Sequence, residues 1–300
     1  MQKQAARQIT ALPSTVSGSY SKDTAEAFAI KILRALDRKL RIENFAIRES
    51  KKGESVHQFR VTIRKIRTLL SQFKNIFPKK RIRSLREKFG AAAKLASPVR
   101  DFDVFLSQRD AYLAGLPEKL RPQARIFFRK MRKARAENFF VLQRFLDSKE
   151  FGELEREWDD FISRKNMPQK RQARAPLAEA LAVLLQKQFG KLRRQTAKAG
   201  KNSAHQAHLL RIECKNTRYL LEAASPLPDS SGLKAASSSI KKMQGHLGSW
   251  HDLSVQRKLL REAPEPLRKE LLSLLAKRQE KALRFWRKKI KGFERATAGF

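Results

Sequence analysis

Two clusters of one histidine and three cations, spaced alike, are the residues of this sequence best suited to bind an anion. The second cluster begins 151 positions after the first. The first cluster is His57, Arg60, Arg64 and Arg67, and the second is His208, Arg211, Lys215 and Arg218. Guanidinium and ammonium groups are the side-chain groups that bind phosphate most strongly. The pattern therefore predicts a site for a phosphate-bearing ligand.

The segment that carries the first cluster, Val56 to Phe77, has the period of one long helix. Its apolar residues recur at steps of three and four: Phe59, Ile63, Ile66, Leu70, Phe73 and Phe77. The cations follow the same steps and continue to Lys74. At about 100° per residue, the stripe of cations lies beside the apolar stripe and not opposite it. A neighbouring helix packed on the apolar stripe would therefore close the cations into a groove.

A second pair of short motifs repeats at the same interval. The first, SPVRDFDV, contains Arg100 and Asp101, and the second, GSWHDLSV, contains His251 and Asp252. Asp252 lies 151 positions after Asp101, the interval that also separates the two basic clusters. One interval shared by two motifs indicates an internal duplication, in which each half contributes one basic helix.

The composition indicates a folded protein with a polyanionic partner. The 300 residues carry a formal net charge of +38, and 41% are apolar. This apolar content is enough for a sizeable core, while the self-repulsion of the charge calls for a polyanionic partner. The single cysteine, Cys214, lies on a predicted core face and forms no internal disulfide. Because no apolar run reaches the length of a membrane span and no secretory signal is recognisable, the cytoplasm is the predicted location.

The order of elements predicts an all-α fold of two pseudo-symmetric four-helix bundles with a basic groove or channel between them. The predicted segments are a polar N-terminal arm (1–20), a first bundle (21–163), a basic linker (164–175) and a second bundle (176–300). Pro98 is expected to break or kink a helix. A second helix is expected to end near Leu247.

The two motif pairs resemble the CHAD domain family, named for conserved histidines and helices. The stretches that carry the resemblance are HQFRVTIRKIR with LASPVRDFDV in the first half, and HLLRIECKNTRYLLE with LGSWHDLSV in the second. The resemblance implies two four-helix bundles around a basic cavity, binding of inorganic polyphosphate and association with polyphosphate granules. No resident cofactor or metal is implied, and nothing here resembles the triphosphatase domain that some relatives carry.

Carried onto this sequence, the resemblance implies that the two clusters bind phosphate, with Lys94 and His246 as weaker candidates. Lys74 and Arg100 extend the same predicted site. The second half departs from the first, because Lys215 replaces an arginine and Thr217 stands at an expected apolar position. Lysine offers a point charge where arginine offers a planar fork. We therefore expect the second half to bind phosphate less specifically.

Other interpretations stay open at this point. Two roles are open for His57 and His208: either they contact phosphate, or they make structural hydrogen bonds. If they contact phosphate, their protonation should strengthen binding below about pH 6.5. Asp101 is expected to have a structural role, in which it pairs with neighbouring helices to fix the kink and holds cations in position. The dipeptide His251–Asp252 also occurs in metal-dependent phosphohydrolases, but further ligands are not evident, so no catalytic residue is predicted.

The main functional hypothesis is therefore a non-enzymatic protein that binds inorganic polyphosphate. A general, non-specific nucleic-acid-binding protein is the second hypothesis, and a scaffold at a granule or membrane surface is the third. Chain-length preference, oligomeric state and partner proteins do not follow from the sequence.

Overall fold

The computed structural model describes residues 24–49, 53–165, 170–199, 204–224 and 231–297, and the predicted arm (1–20) lies outside them. Within these residues the chain forms ten α-helices, two short 3₁₀ turns and no strand. The all-α prediction is confirmed. No helix in the described part of the chain is both long and apolar enough to cross a bilayer.

The first half of the chain folds into six helices. They are α1 (Ala25–Glu49), α2 (Gly53–Gln72), α3 (Lys79–Leu106), α4 (Arg109–Gly115), α5 (Arg121–Leu146) and α6 (Lys149–Ile162). Helices α1, α2 and α3 pack in succession, and α5 and α6 pack one after the other along α3. The Trp158 indole N–H of α6 donates to Asp37 of α1 at 3.0 Å. Helices α5 and α6 together thus take the place of the fourth helix of a bundle.

The second half is a four-helix bundle. Its helices are α7 (Leu177–Ala199), α8 (Ala204–Ala224), α9 (Ser231–Leu260) and α10 (Leu267–Thr297). Each helix packs on the next, and α10 closes the bundle against α7. The predicted core positions Leu210, Cys214 and Leu221 are buried. The period of the sequence therefore identified the inner face of α8.

A separate apolar cluster joins the two halves at one end. It unites the end of α3 and the start of α5 with the end of α9 and the start of α10, and includes Phe105, Tyr112 and Leu260. The Tyr112 hydroxyl donates to the buried Gln256 amide oxygen of α9 at 2.8 Å. Helices α2 and α8 pack against each other nearby. The bundles are thus fixed to each other beside the basic helices.

One predicted helix end was wrong, because α9 runs past Leu247 to Leu260. Pro98 lies inside α3, so it does not break the helix. Helix α3 continues because Ala96 and Val99 are fully buried on either side of the proline, so core packing outweighs the lost backbone bond. The predicted linker (164–175) contains a 3₁₀ turn at Arg171–Arg174.

Candidate phosphate-binding channel

The two basic helices face each other across the boundary between the bundles. Lys65 of α2 pairs with Glu222 of α8 at 2.7 Å. The hydroxyl of Thr68 donates to the side-chain oxygen of Asn216 at 3.5 Å. These contacts join α2 to α8, so they hold the two predicted clusters on facing walls of one channel.

One part of the channel is a narrow cavity of about 160 Å³ between α2, α3, α8 and α9. Cations, carboxylates and a histidine from each half line it. Its lining residues are His57, Arg60, Val61, Arg64, Arg100, Asp101, Val104, Arg211, His251, Asp252, Val255 and Gln256. The repeated motifs of both halves therefore meet in this cavity.

The other part is a wide cavity of about 520 Å³ between α2, α3, α7 and α8. It is lined by seven lysines and arginines, by polar side chains and by apolar residues of α7 and α8. The lining residues are Arg64, Arg67, Thr68, Ser71, Gln72, Lys74, Asn75, Arg86, Val183, Leu184, Lys187, Lys191, Ile212, Lys215 and Asn216. Arg64 lines both cavities, so its side chain stands at their junction.

Hydrogen bonds to the backbone of α3 hold two of the arginines in place. The Arg60 guanidinium donates to the Ala96 carbonyl at 3.4 Å, and the Arg67 Nε donates to the Arg86 carbonyl at 3.1 Å. A Cβ atom at Gly90 would lie 3.2 Å from Arg67 Nη2, so the glycine leaves room for this guanidinium. Since an arginine has five N–H groups, both side chains keep donors for a bound anion.

The cations of the channel repel one another in a partly dry environment. Burial lowers the pKa of Arg60 to about 10, and Arg64 and Arg100 oppose its charge further. Burial, then Arg64 and Arg211, lowers the pKa of Lys215 to about 6. Lys215 is only 8% exposed. In the unliganded protein this ammonium is thus largely deprotonated at neutral pH, and an anion would restore its charge.

Two carboxylates partly compensate these cations. Asp101 of α3 lies near Arg60, and Asp252 of α9 lies 3.9 Å from Arg211. Burial raises the pKa of both carboxyl groups, whereas the neighbouring arginines act in the opposite direction. The prediction that Asp101 positions cations agrees with this placement. Among the described residues, no three His, Cys, Asp or Glu side chains are grouped as a metal site would require.

The histidines of the two halves are placed differently. His57 lines the narrow cavity, whereas His208 is not among its lining residues and has its ring 5.3 Å from that of His251. Burial lowers the pKa of His57 and His208, and nearby cations lower both further. Burial and Arg211 lower the pKa of His251 to about 4. Any strengthening of binding by histidine protonation is therefore expected at a lower pH than the ordinary histidine value.

Three further residues of the predicted site lie outside both cavities. Arg218 pairs with Glu222, one turn later on α8, at 3.1 Å and packs on the Tyr219 ring. Lys94 is exposed on α3, and His246 packs edge-on against the Phe285 ring. Phosphate contact by these residues and by His208 remains a prediction.

Sequence reasoning missed the contribution of α7. Lys187 and Lys191 line the wide cavity, and so does Arg86 of α3. The spacing of four between the two lysines places them on one helix face. Several other cations on α7 have similar spacings, so the sequence alone could not single out this pair.

A buried polar network fixes α7 on the two basic helices. Gln188, with no exposed surface, accepts a hydrogen bond from Gln72 of α2 at 2.8 Å. Its amide nitrogen donates to Glu213 and Thr217 of α8 at 2.7 and 3.1 Å. Thr217, which stands at an expected apolar position, therefore has a polar partner.

Comparison with known proteins places these features in a family. A family model described as the CHAD domain matches residues 11–261. The crystal structure of the CHAD domain from the plant Ricinus communis is similar, with a TM-score of 0.71 and 18% identity, covering 96% of each chain. PptA from Streptomyces chartreusis is also similar, with a TM-score of 0.70 and 17% identity, covering 90% of this chain and 100% of that one. No curated protein matches this chain.

Proposed function

Because this chain belongs to the CHAD domain family, we propose that it binds inorganic polyphosphate in the channel between its two bundles. The observation that carries the proposal is the cluster of Arg60, Arg64, Arg211 and Lys215 on facing helices. Burial lowers the pKa of Arg60, Arg211 and Lys215, and the charge of Arg64 lowers each of the three further, so the cluster favours a bound anion. A chain of phosphates would relieve this repulsion along its whole length.

The shape and lining of the channel favour a thin chain over a nucleic acid. Among the described residues that line the two cavities, none is Phe, Tyr or Trp. Binders of single-stranded nucleic acid use such rings as stacking platforms for bases. Polyphosphate has no bases, so it loses nothing in a channel without aromatic rings. The narrow cavity, enclosed by four helices, would also exclude a duplex.

A competition experiment separates the two ligands. A labelled single-stranded oligonucleotide is bound to the protein and then displaced by long-chain polyphosphate or by unlabelled oligonucleotide, compared at equal phosphate concentration. We expect polyphosphate to displace the label at a far lower concentration. Equal displacement would favour the general nucleic-acid-binding protein and overturn the proposal.

We further propose that the site binds polyphosphate without cleaving it. Asp252 lies beside Arg211, and His251 packs on His208, so both residues of the His–Asp dipeptide have partners within the protein. Incubation with polyphosphate and divalent metal ions should release no phosphate above a protein-free control. Release that is abolished by Asp252→Asn would contradict this part of the proposal.

In a cell, binding of this kind would direct the protein to polyphosphate granules. The charge-reversal variant Arg60→Glu/Arg64→Glu tests whether the channel is responsible. A matched control is Arg284→Glu/Arg287→Glu, which reverses two exposed charges on α10. Only the channel variant should lose co-sedimentation with granules. Equal loss in both would indicate targeting through the general charge, and no loss in the channel variant would indicate targeting through another face.

A further inference from the structure

Exposed apolar side chains are concentrated near the contact between α1 and α5. Half of the eight large apolar side chains that are exposed in the described part of the chain lie there: Ile42, Phe45, Phe140 and Val141. The Gln143 amide of α5 donates to the Ile47 carbonyl of α1 at 2.9 Å, and each of the four lies within about two helical turns of this contact. Grouped apolar side chains at a surface are typical of a face that another molecule covers.

On α1 the two apolar residues belong to a stripe whose spacing is symmetrical. Arg38, Ile42, Phe45 and Glu49 are all exposed and follow one another at steps of four, three and four. These steps place the four side chains on one face of the helix. In an antiparallel pair of α1 helices, Arg38 of one copy therefore lies opposite Glu49 of the other. In the same pair Ile42 lies opposite Phe45, so the stripe is complementary to itself.

The charges beside this stripe are compensated within the protein. Arg41 pairs with Asp37 at 2.9 Å and with Asp159 of α6, and Arg48 pairs with Asp147 at 3.3 Å. Two copies of a chain with a net charge of +38 repel each other unless they meet where the local charge is low. The stripe meets this condition, since it adds one cation and one carboxylate. An anionic partner has less to gain from such a face, so a second copy is the occupant that fits.

We infer that α1 forms the interface of a homodimer, in which two copies pack the stripe antiparallel about a two-fold axis between Ile42 and Phe45. A two-fold interface uses the same patch of both subunits, so each contact occurs twice. None of the four stripe residues is among the described residues that line either cavity, so dimerisation does not depend on the proposed function. If that function holds, each dimer has two polyphosphate channels.

Sedimentation velocity of the full chain, without polyphosphate and over a range of protein concentrations, measures the equilibrium between monomer and dimer. Residues 38 to 49 span about 16 Å at about 1.5 Å per residue, which is short for a permanent dimer interface, so the dimer should dissociate on dilution. At about 0.15 M salt, repulsion between exposed charges farther apart than about 8 Å is largely screened. A chain that stays monomeric at every concentration would overturn the inference.

Charge reversal tests which residues face each other. Arg38→Glu places two carboxylates opposite each other at both ends of the interface, and Glu49→Arg places two cations there. Each variant alone should have a dimer dissociation constant about tenfold higher than that of the wild type, because exposed ion pairs are replaced by repulsive pairs. An equimolar mixture of the two variants should dimerise like the wild type, because every cation then faces a carboxylate. If the mixture does not recover, the antiparallel pairing is wrong.

The control for charge reversal is Arg287→Glu, at an exposed position on α10. It changes the net charge of the chain by the same amount as Arg38→Glu does. Its dimer dissociation constant should equal that of the wild type. A similar rise in both variants would overturn the inference, because the effect would then come from the overall charge.

A pair of isoleucines provides the matched test of apolar contact. Ile42 and Ile126 are 65% and 64% exposed, but Ile126 lies near the start of α5, away from the contact with α1. Ile42→Ser should raise the dissociation constant about thirtyfold, because each dimer loses two isoleucine contacts. Ile126→Ser should not change it. At exposed positions neither substitution should alter thermal unfolding much. Equal dissociation constants for the two variants would refute the α1 interface.

Discussion

Truncation of Arg64, at the junction of the two cavities, should weaken polyphosphate binding more than truncation of Lys215, its counterpart on the opposite helix. Arg64 lines both cavities, whereas Lys215 lines only the wide one. A hydrogen bond to a charged group contributes about 1.5–3 kcal/mol. For Arg64→Ala we therefore expect a loss of about tenfold to a hundredfold in affinity at pH 7.

The corresponding loss for Lys215→Ala is smaller because the lysine must first be protonated. Its pKa in the free protein is about 6. Each pKa unit corresponds to about 1.4 kcal/mol, so charging the side chain at pH 7 costs about that much. This cost offsets much of the gain from its contact with phosphate. We expect Lys215→Ala to lose about tenfold or less in affinity for polyphosphate at pH 7.

Isothermal titration calorimetry with long-chain polyphosphate measures both losses. At pH 5.5 Lys215 of the free protein is largely protonated, so Lys215→Ala should lose more affinity for polyphosphate than it does at pH 7. The losses of affinity in the two variants should therefore be more nearly equal at pH 5.5. If Lys215→Ala loses as much affinity as Arg64→Ala at pH 7, or if the difference does not narrow at pH 5.5, the assignment of a dominant first half is wrong.

Three further predictions concern the protonation of Lys215 and the packing between the bundles. Binding of polyphosphate should raise the pKa of Lys215 and take up a proton, so the affinity for polyphosphate should fall as the pH rises above about 6. Calorimetry in buffers of different ionisation enthalpy measures this proton uptake, which Lys215→Met should abolish. Because the pKa of Lys215 is lowered in the folded protein, the unfolded state binds more protons than the folded state above about pH 6, so the free energy of unfolding should increase with pH up to the ordinary lysine pKa. Thermal unfolding measured against pH should show a smaller increase in stability for Lys215→Met. Phe105→Ala should reduce the free energy of unfolding by about 3–5 kcal/mol, because Phe105 is fully buried in the cluster that joins the bundles; chemical denaturation with a loss below about 1 kcal/mol would mean that this cluster is not a core.

Sequence reasoning succeeded where a regular period was imposed by burial. The stripe Phe59, Ile63 and Ile66 is fully buried in α2, and the cations beside it lie along the channel. The repeat then related α2 to α8 and anticipated that the two would face each other. Both inferences depend on the geometry of a helix and on the need to bury apolar side chains, which the sequence carries directly.

Departures from the repeat were harder to anticipate. Arg218 corresponds to Arg67, yet it pairs with Glu222, which also binds Lys65 of the other bundle. Glu222 is thus shared between an arginine of its own helix and a lysine of α2, and the second of these contacts joins helices that are distant in sequence. The two lysines of α7 were missed for a related reason. In a chain with 67 lysines and arginines, nothing local distinguishes a cation in a cavity from one on a solvated face.

A crystal structure of the complex with long-chain polyphosphate would show whether the ligand lies between the two bundles. We expect a continuous chain of phosphates that contacts Arg60, Arg64 and Arg211 and extends toward Lys187 on α7. Phosphates bound only on the outer basic faces of α5 and α10, with none between α2 and α8, would contradict it.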